Sequence, residues 1–274
     1  MLKYLLMSFS LDRIITTHTA LPKNVGIVEI EPTAALSPYI RCFWKYNGSA
    51  DISAFRIIPD CCADIIIPLD GSTAVFVGAS DKSFIAQRMG DVFGIRFYAW
   101  AIAPFLHIGL SELFNNAVPI DLILNNFRQV QNAIIDAKNT AKQVELAGKY
   151  LLNLFDGRLC FDIINSLFRT VNDDCRVTVQ SLSDYCAVSK RTLERKFIDN
   201  VGVSPKMMID LLRYQMLWQD CLKSGFSAMD SAFKFGYYDE AHMLNDFKRY
   251  HGIGLNAARA EYTKLSHFYN TVTE

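Results

Sequence analysis

The stretch Ser189-Lys190-Arg191-Thr192-Leu193-Glu194-Arg195-Lys196-Phe197, followed by Gly202, returns fifty residues later. The second copy reads Asp239-Glu240-Ala241-His242-Met243-Leu244-Asn245-Asp246-Phe247, followed by Gly252. Each copy opens on a side chain that caps a helix N-terminus and closes at a glycine suited to a left-handed C-cap. Apolar residues four apart, Leu193 with Phe197 and Met243 with Phe247, mark one face for burial. The other face is polar in both copies. Two short helices of this kind predict a double helix-turn-helix that reads DNA.

The flanking residues complete each unit. Val179–Tyr185 reads as the helix before the first copy, with Ala187-Val188 as the turn. Ser227–Phe235 and Gly236-Tyr237-Tyr238 play the same parts in the second. Between the copies, Ser204 caps and Pro205 takes the first helical position. Met208, Leu211, Leu212, Leu217 and Leu222 then carry a helix over Pro205–Leu222, 18 residues long. At 1.5 Å per residue that rod is about 27 Å, near the separation of about 34 Å between successive turns of DNA.

The outer faces supply the candidate DNA contacts. Lys190, Arg191, Glu194 and Arg195 share the first. Arg191 and Arg195, four apart, are positioned for bases or phosphates, and Lys190 for phosphate. The second carries Glu240, His242, Asn245 and Lys248, with Arg249 beside it. Asn245 is the candidate for adenine, and Lys248 and Arg249 for phosphate. Glu240 and Asp246 oppose the phosphates, so this unit is expected to grip less. A basic pair taken alone is ordinary solvated surface, and it is the repeated scaffold that favours DNA. Arg213 and Tyr214 stay open between core, phosphate contact and neither.

The bulk composition agrees with a soluble two-domain protein of 274 residues, 51% apolar and 20% charged. Lys+Arg and Asp+Glu both number 28, so any basic patch must be local. After Asp173 the chain holds 13 basic and 12 acidic residues, so the domain average is balanced too. Seven cysteines, an odd count with Cys61 and Cys62 adjacent and no C-x-x-C, exclude a disulfide framework and point to the reducing cytoplasm. Neither of that pair has a basic neighbour in sequence, which favours inert buried thiols over an oxidant sensor. Tyr4–Leu11 reads as a first strand or helix rather than a signal peptide, and no apolar run approaches a membrane span.

From about Val25 to Leu124 the chain reads as short strands: Gly26–Ile30, Phe43–Tyr46, Phe55–Ile58, Asp64–Pro68, Ala74–Val77 and Gly94–Tyr98. Turns at Asn47-Gly48, Pro59-Asp60, Asp70-Gly71 and Gly90-Asp91 separate them, and helical pieces are expected at Ser37–Arg41 and Ala101–Leu110. From Asn126 the pattern turns helical through Val130, Ile134, Ile135, Ala137, Ala141, Val144 and Leu146. Lys149–Leu154 continues that run, and Cys160–Val171 forms a further helix before the polar stretch 170–174. The expected class is α+β. Residues 1–125 form a β-rich sensor domain, cupin-like or a small barrel. Residues 126–173 form a helical connector available for dimerisation, and 174–274 an all-α domain of two helix-turn-helix units joined by a long helix.

Trp44, Asp60, Asp64, Arg96 and Trp100 are the front-half residues suited to a small-molecule pocket, although an Asp–Arg pair is more often a structural ion pair. The chain is not read as an enzyme. Only His18 and His107 precede the connector, and G-x-S-x-G and P-loop motifs are absent. No catalytic residue, metal or cofactor is called for.

The C-terminal motifs resemble those of the AraC/XylS family. Leu182, Cys186-Ala187, Ser189, Arg191, Leu193, Arg195, Phe197, Gly202 and Ser204-Pro205 match the first half of its DNA-binding domain. Ala232-Phe233, Phe235-Gly236-Tyr237, Asp239, Met243 and Phe247-Lys248-Arg249-Tyr250-His251-Gly252 match the second. Three positions depart from the family pattern: Gly254-Leu255 replaces Thr-Pro, Asn245 an arginine and Met243 a phenylalanine. The front half is similar to a β-rich sensor type found in part of the family. It is carried by Pro38–Trp44, Ile57–Ile66, Val77-Gly78 and Gly94–Phe97. The resemblance implies a cytoplasmic bacterial transcription regulator acting on double-stranded promoter DNA, with RNA polymerase as a further partner. A small-molecule effector and a homodimer belong to the same expectation; a membrane does not. The alternative is a regulator that works by protein contact with little specific DNA reading.

Overall fold

The computed structural model describes residues 26–48, 54–87, 90–106, 108–157, 160–223 and 225–270. Tyr4–Leu11, His18 and His107 lie outside them. In spatial order, β1 (Ile27–Ile30), β2 (Ile40–Tyr46), β7 (Val92–Tyr98), β4 (Cys62–Pro68), β5 (Val75–Val77) and β8 (Ala117–Pro119) form one antiparallel sheet. A separate two-stranded ribbon pairs β3 (Ala54–Ile57) with β6 (Phe84–Gln87).

Alternation along the central strands gives the sheet two different faces. Phe43, Ile65, Ile67, Phe93, Ile95 and Phe97 join the main core with the helices. Cys42, Trp44, Tyr46 and Val92 form a second small cluster on the other face. The sheet does not close into the expected barrel: β1 and β8 end it and pair with no further strand among the described residues. β8 is three residues long and ends at Pro119, which has no N–H to continue a ladder. Helices cover one face instead of strands curling round to meet.

Two helical expectations in this part are corrected. Ile40 and Arg41 begin β2, because β-branched and aromatic residues follow Pro38, which disfavours helix in its predecessor. The stretch Ala101–Leu110 breaks into short 3₁₀ turns at Ala99–Ala101, Ala103–Phe105 and Leu110–Glu112, interrupted by Pro104 and Gly109. The strands β6 and β8 were not foreseen.

The connector run also divides. α1 (Phe127–Ile135) and α2 (Thr140–Leu154) are separated at Asn139, whose extended backbone and side chain, 2.9 Å from the Lys142 N–H, cap α2. α3 (Phe161–Asn172) follows. The polar stretch after it is not an open linker. Cys175 is buried, and its N–H donates to the Thr170 carbonyl at 2.8 Å.

Beyond it the helices fall close to the sequence reading: α4 (Val179–Tyr185), α5 (Lys190–Val201), α6 (Pro205–Cys221), α7 (Ala228–Lys234), α8 (Glu240–His251) and α9 (Leu255–Asn270). Ser189 accepts from the Thr192 N–H at 3.1 Å and Asp239 from the His242 N–H at 2.7 Å. Gly202 and Gly252 end α5 and α8 at φ of 83° and 81°. One core cluster runs from Leu36 to Ala258, so the β-rich part, the connector helices and the C-terminal helices share it.

The two helix-to-helix turns are built alike. Val188 N–H donates to Ser183 and Tyr237 N–H to Ala232, at 3.0 and 2.9 Å. The residue before each donor is left-handed: Gly236 in the second turn but Ala187, at φ 52°, in the first. Alanine is strained there and glycine is not. Ala187→Gly is expected to raise stability by about 0.5–1 kcal/mol, read as a later denaturant midpoint with unchanged slope. Phe247 packs its ring 4.8 Å from His251 and 5.7 Å from both Tyr214 and Trp218. Phe247→Ala should cost roughly 3–5 kcal/mol in the same measurement; a wild-type midpoint would contradict that packing.

Candidate functional site

Helix α5 presents its polar face because Leu193, Phe197 and Val201 are taken inward. Lys190, Arg191, Glu194 and Arg195 are all exposed. Lys196, one step round the helix, pairs with Asp162 of α3 and is thereby removed from that face. On α8, Met243, Phe247, Tyr250 and His251 are inward, and His242, Asn245, Lys248 and Arg249 are exposed.

The charges on the second helix are partly spent within it. Arg249 donates to Asp246 at 2.8 Å and to the Tyr250 hydroxyl at 2.7 Å, with its guanidinium 4.2 Å from that ring. His242 meets the Tyr237 ring edge-on at 5.4 Å. The residues left open between core and phosphate are resolved. Tyr214 is fully buried, while Arg213 pairs with Asp210 at 3.2 Å and donates to the Cys175 carbonyl at 3.0 Å. Helix α6 joins the two units over 17 residues, about 26 Å.

The second site lies on the other face of the sheet, where the ribbon covers a cavity of about 320 Å³. Antiparallel register sets its floor. Asp64 stands opposite Arg96, and Trp44 opposite Gly94. Arg96 donates to Asp64 at 2.9 Å and is ion-paired with Asp60, and the Trp44 indole N–H donates to Asp64 at 2.9 Å. A Cβ on Gly94 would fall 1.9 Å from the Trp44 ring, so only glycine lets the indole lie across that strand. Burial works against the Arg96 charge, but Asp60 and Asp64 more than offset it and raise its pKa. Burial raises the Cys61 and Cys62 thiols well above the ordinary range, so neither is a reactive thiolate.

Four of the five expected pocket residues, Trp44, Asp60, Asp64 and Arg96, therefore meet around one cavity. Trp100 does not line it. It is buried in a 3₁₀ turn and stacks on Tyr98 at 5.0 Å. Tyr46, Lys82, Asn115 and Asn116 also line the cavity. Sequence reading passed over them because β6 and β8, which deliver the last three, are too short to show a strand pattern.

The two sites are joined by direct contacts. Leu110 backs the end of α5, where a Cβ on Gly202 would come 2.5 Å from its carbonyl oxygen. Ser83 caps the end of α8: its N–H donates to the Tyr250 carbonyl at 3.2 Å and its hydroxyl to the His251 carbonyl at 2.8 Å. Gln215 of α6 donates to the Pro59 carbonyl, and Arg56 pairs with Glu261 at 3.3 Å.

Residues 182–261 match a family described as a helix-turn-helix domain. The match spans α4 through α8 and so takes in both halves of the repeat. With this helix-turn-helix domain, the chain is a DNA-binding transcription regulator. Residues 28–119 match a domain of unknown function (DUF6597). No curated protein matches the chain in sequence. Among solved structures it is similar to ToxT from Vibrio cholerae at 9% identity and TM-score 0.45, over 80% of this chain and 98% of that one. A second structure, unsaturated fatty acid bound wild-type ToxT from Vibrio cholerae strain SCE256, aligns at 9% identity and TM-score 0.40, over 87% and 95%. Both likenesses are too distant to carry chemistry between the chains. Among the described residues no helix is long and apolar enough to cross a membrane.

His251, at the docked end of α8, makes the regulator's stability depend on pH. Its Nδ1 lies 2.8 Å from the Tyr214 hydroxyl. Burial, followed by the charge of Arg56, lowers its pKa to about 3. The unfolded chain takes up this proton below about pH 6.5 while the folded chain does not, so stability is complete above that pH and falls toward about pH 3. Between about pH 8 and pH 5 this group should cost about 2 kcal/mol. Urea titrations are expected to show a clearly smaller loss in His251→Gln; equal losses would place the pH dependence elsewhere.

Proposed function

We propose that the regulator reads double-stranded promoter DNA with both α5 and α8, laid in successive major grooves, and that an effector held in the β-rich domain modulates this. The observation that carries the first part is the simultaneous exposure of Lys190, Arg191, Glu194, Arg195, His242, Asn245, Lys248 and Arg249, each on a helix whose opposite face is buried. Arg191 and Arg195 take bases or phosphates, and Lys190 phosphate. The second helix grips less, because Arg249 is already engaged by Asp246.

The effector reading rests on the cavity. Its walls are largely apolar, with Ile27, Ile57, Ile58, Ile66, Val77 and Phe84, and a charged floor of Asp60, Asp64 and Arg96 offers a few fixed polar groups. That is the usual make-up of a small-molecule site. Residues 1–125 are then the sensor, 126–173 the connector and 174–274 the reader. Exposed Leu152 and Phe161 on the connector favour its use in a homodimer. RNA polymerase is the partner through which bound regulator acts, in the cytoplasm.

Selection of genomic fragments by the purified chain tests the DNA reading. A shared motif is expected, with affinity falling steeply as salt rises because phosphate contacts release counterions. Arg195→Ala should weaken that site by about 1–3 kcal/mol. Unchanged affinity and preference would remove Arg195 from the interface. Shallow salt dependence with no enriched motif would favour regulation by protein contact instead.

A further inference from the structure

Two loops of the β-rich domain form one rim of the cavity, and each loop holds one recognition helix. The loop Ser80–Phe84 lines the cavity through Ser80, Lys82 and Phe84, while Ser83 caps the last carbonyls of α8. Those carbonyls have no partner inside their own helix, so Ser83 supplies a fixed anchor. The loop 110–117 lines the cavity through Asn115, Asn116 and Ala117, while Leu110 seats the end of α5 at Gly202.

Asn115 ties the two loops together. Its Oδ1 accepts from the Ser80 hydroxyl at 2.8 Å and from the Asp81 N–H at 3.1 Å. Its Nδ2 donates to the Asp81 carboxylate at 2.9 Å, and its own N–H donates to the Ala79 carbonyl at 2.9 Å. It does so from a left-handed backbone at φ 60°, a conformation asparagine tolerates better than most residues. We propose that Asn115 is a positioning residue for DNA reading: it sets the separation of α5 and α8, and a ligand in the cavity acts on DNA through it. The effector half of this rests on the function proposed above; the spacing half needs only the two readers.

The reason is mechanical. Within the reader, α5 and α8 are linked through α6. The β-rich domain adds a second link, from α5 through Leu110, Asn115 and Ser83 to α8. The Asn115 clasp stiffens this route between the two helix ends, alongside the Gln215–Pro59 and Arg56–Glu261 contacts and the bond from the Gly78 N–H to the Asn116 carbonyl. The Asn115 side-chain bonds are solvent-exposed, so removing them costs little global stability.

The test uses the full chain and Asn115→Gly, which keeps the left-handed backbone without strain. Synthetic duplexes carry the selected half-sites at separations from about 8 to about 13 base pairs, bracketing one turn of about 10.5. Wild type should prefer one separation. Asn115→Gly should accept at least about three neighbouring ones with less than about twofold change on an isolated half-site, a pattern that general destabilisation does not give. Asp81→Asn/Asn115→Asp, which exchanges the amide and carboxylate, should restore the single preference. Equally sharp spacing in Asn115→Gly, or an equal loss on the isolated half-site, overturns the proposal.

Hydrogen exchange gives an arm independent of DNA. Amides at the ends of α5 and α8 should exchange about tenfold faster in Asn115→Gly, and those of α2 at the wild-type rate. If neither chain binds any duplex, the DNA reading has failed, and exchange alone judges the clasp; unchanged rates at both helix ends overturn it. Ala86→Trp fills the cavity in place of a ligand and should shift or broaden the preferred separation. Wild-type spacing in that variant overturns the effector route alone.

Discussion

A helix that is apolar on nearly every side has to be enclosed on every side, and α6 is that helix. Met208, Ile209, Leu211, Leu212, Tyr214, Met216, Leu217, Trp218 and Cys221 are buried around its whole circumference. A free-standing double helix-turn-helix covers its linking helix from the two flanks with its own units. Here part of the enclosure comes from the β-rich domain, at Pro59. The shared core follows from this requirement, and so does the direct seating of both recognition helices on the front half. Recognition helices need their N-terminal turns free for DNA, so only their C-terminal turns are available for docking. Gly202 and Gly252 occupy those turns in equivalent ways.

The front half meets a different constraint. A guanidinium as buried as that of Arg96, 3% exposed, is costly unless paired. Cross-strand register with Asp64 and the turn that brings Asp60 satisfy it with two carboxylates. The result is a rigid polar floor under an apolar cavity, roofed by a ribbon whose loop runs on to the end of α8. The β-rich part and the helix-turn-helix part are therefore not two bodies on a tether. The loops that wall the cavity also anchor the ends of α5 and α8.

Sequence reading was strongest where signals are local. Ser189, Ser204 and Asp239 each marked a helix that begins at the next residue, and each accepts from the N–H three residues on, as its residue type dictates. It was weaker at the connector, where the apolar rhythm through Ala137 and Ala141 concealed a break that Asn139 enforces by capping. It failed at β6 and β8, because three or four residues hold too little periodicity and their partners, β3 and β5, lie tens of residues away. Barrel closure and the place of Trp100 were misjudged for the same reason: both depend on which distant segments pair.

The sequence by itself determined the double helix-turn-helix. Capping, four-residue spacing and terminal glycines act within a few residues, and the fifty-residue repeat states them twice. It also placed Asp60, Asp64, Arg96 and Trp44 together as candidates for one site. Only the tertiary structure decided that they surround a cavity, that Trp44 lies across Gly94, and that Ser83, Leu110 and Asn115 join the β-rich part to the ends of α5 and α8. Those facts arise from pairing and packing between segments far apart in the chain, where no local rule of propensity or spacing reaches.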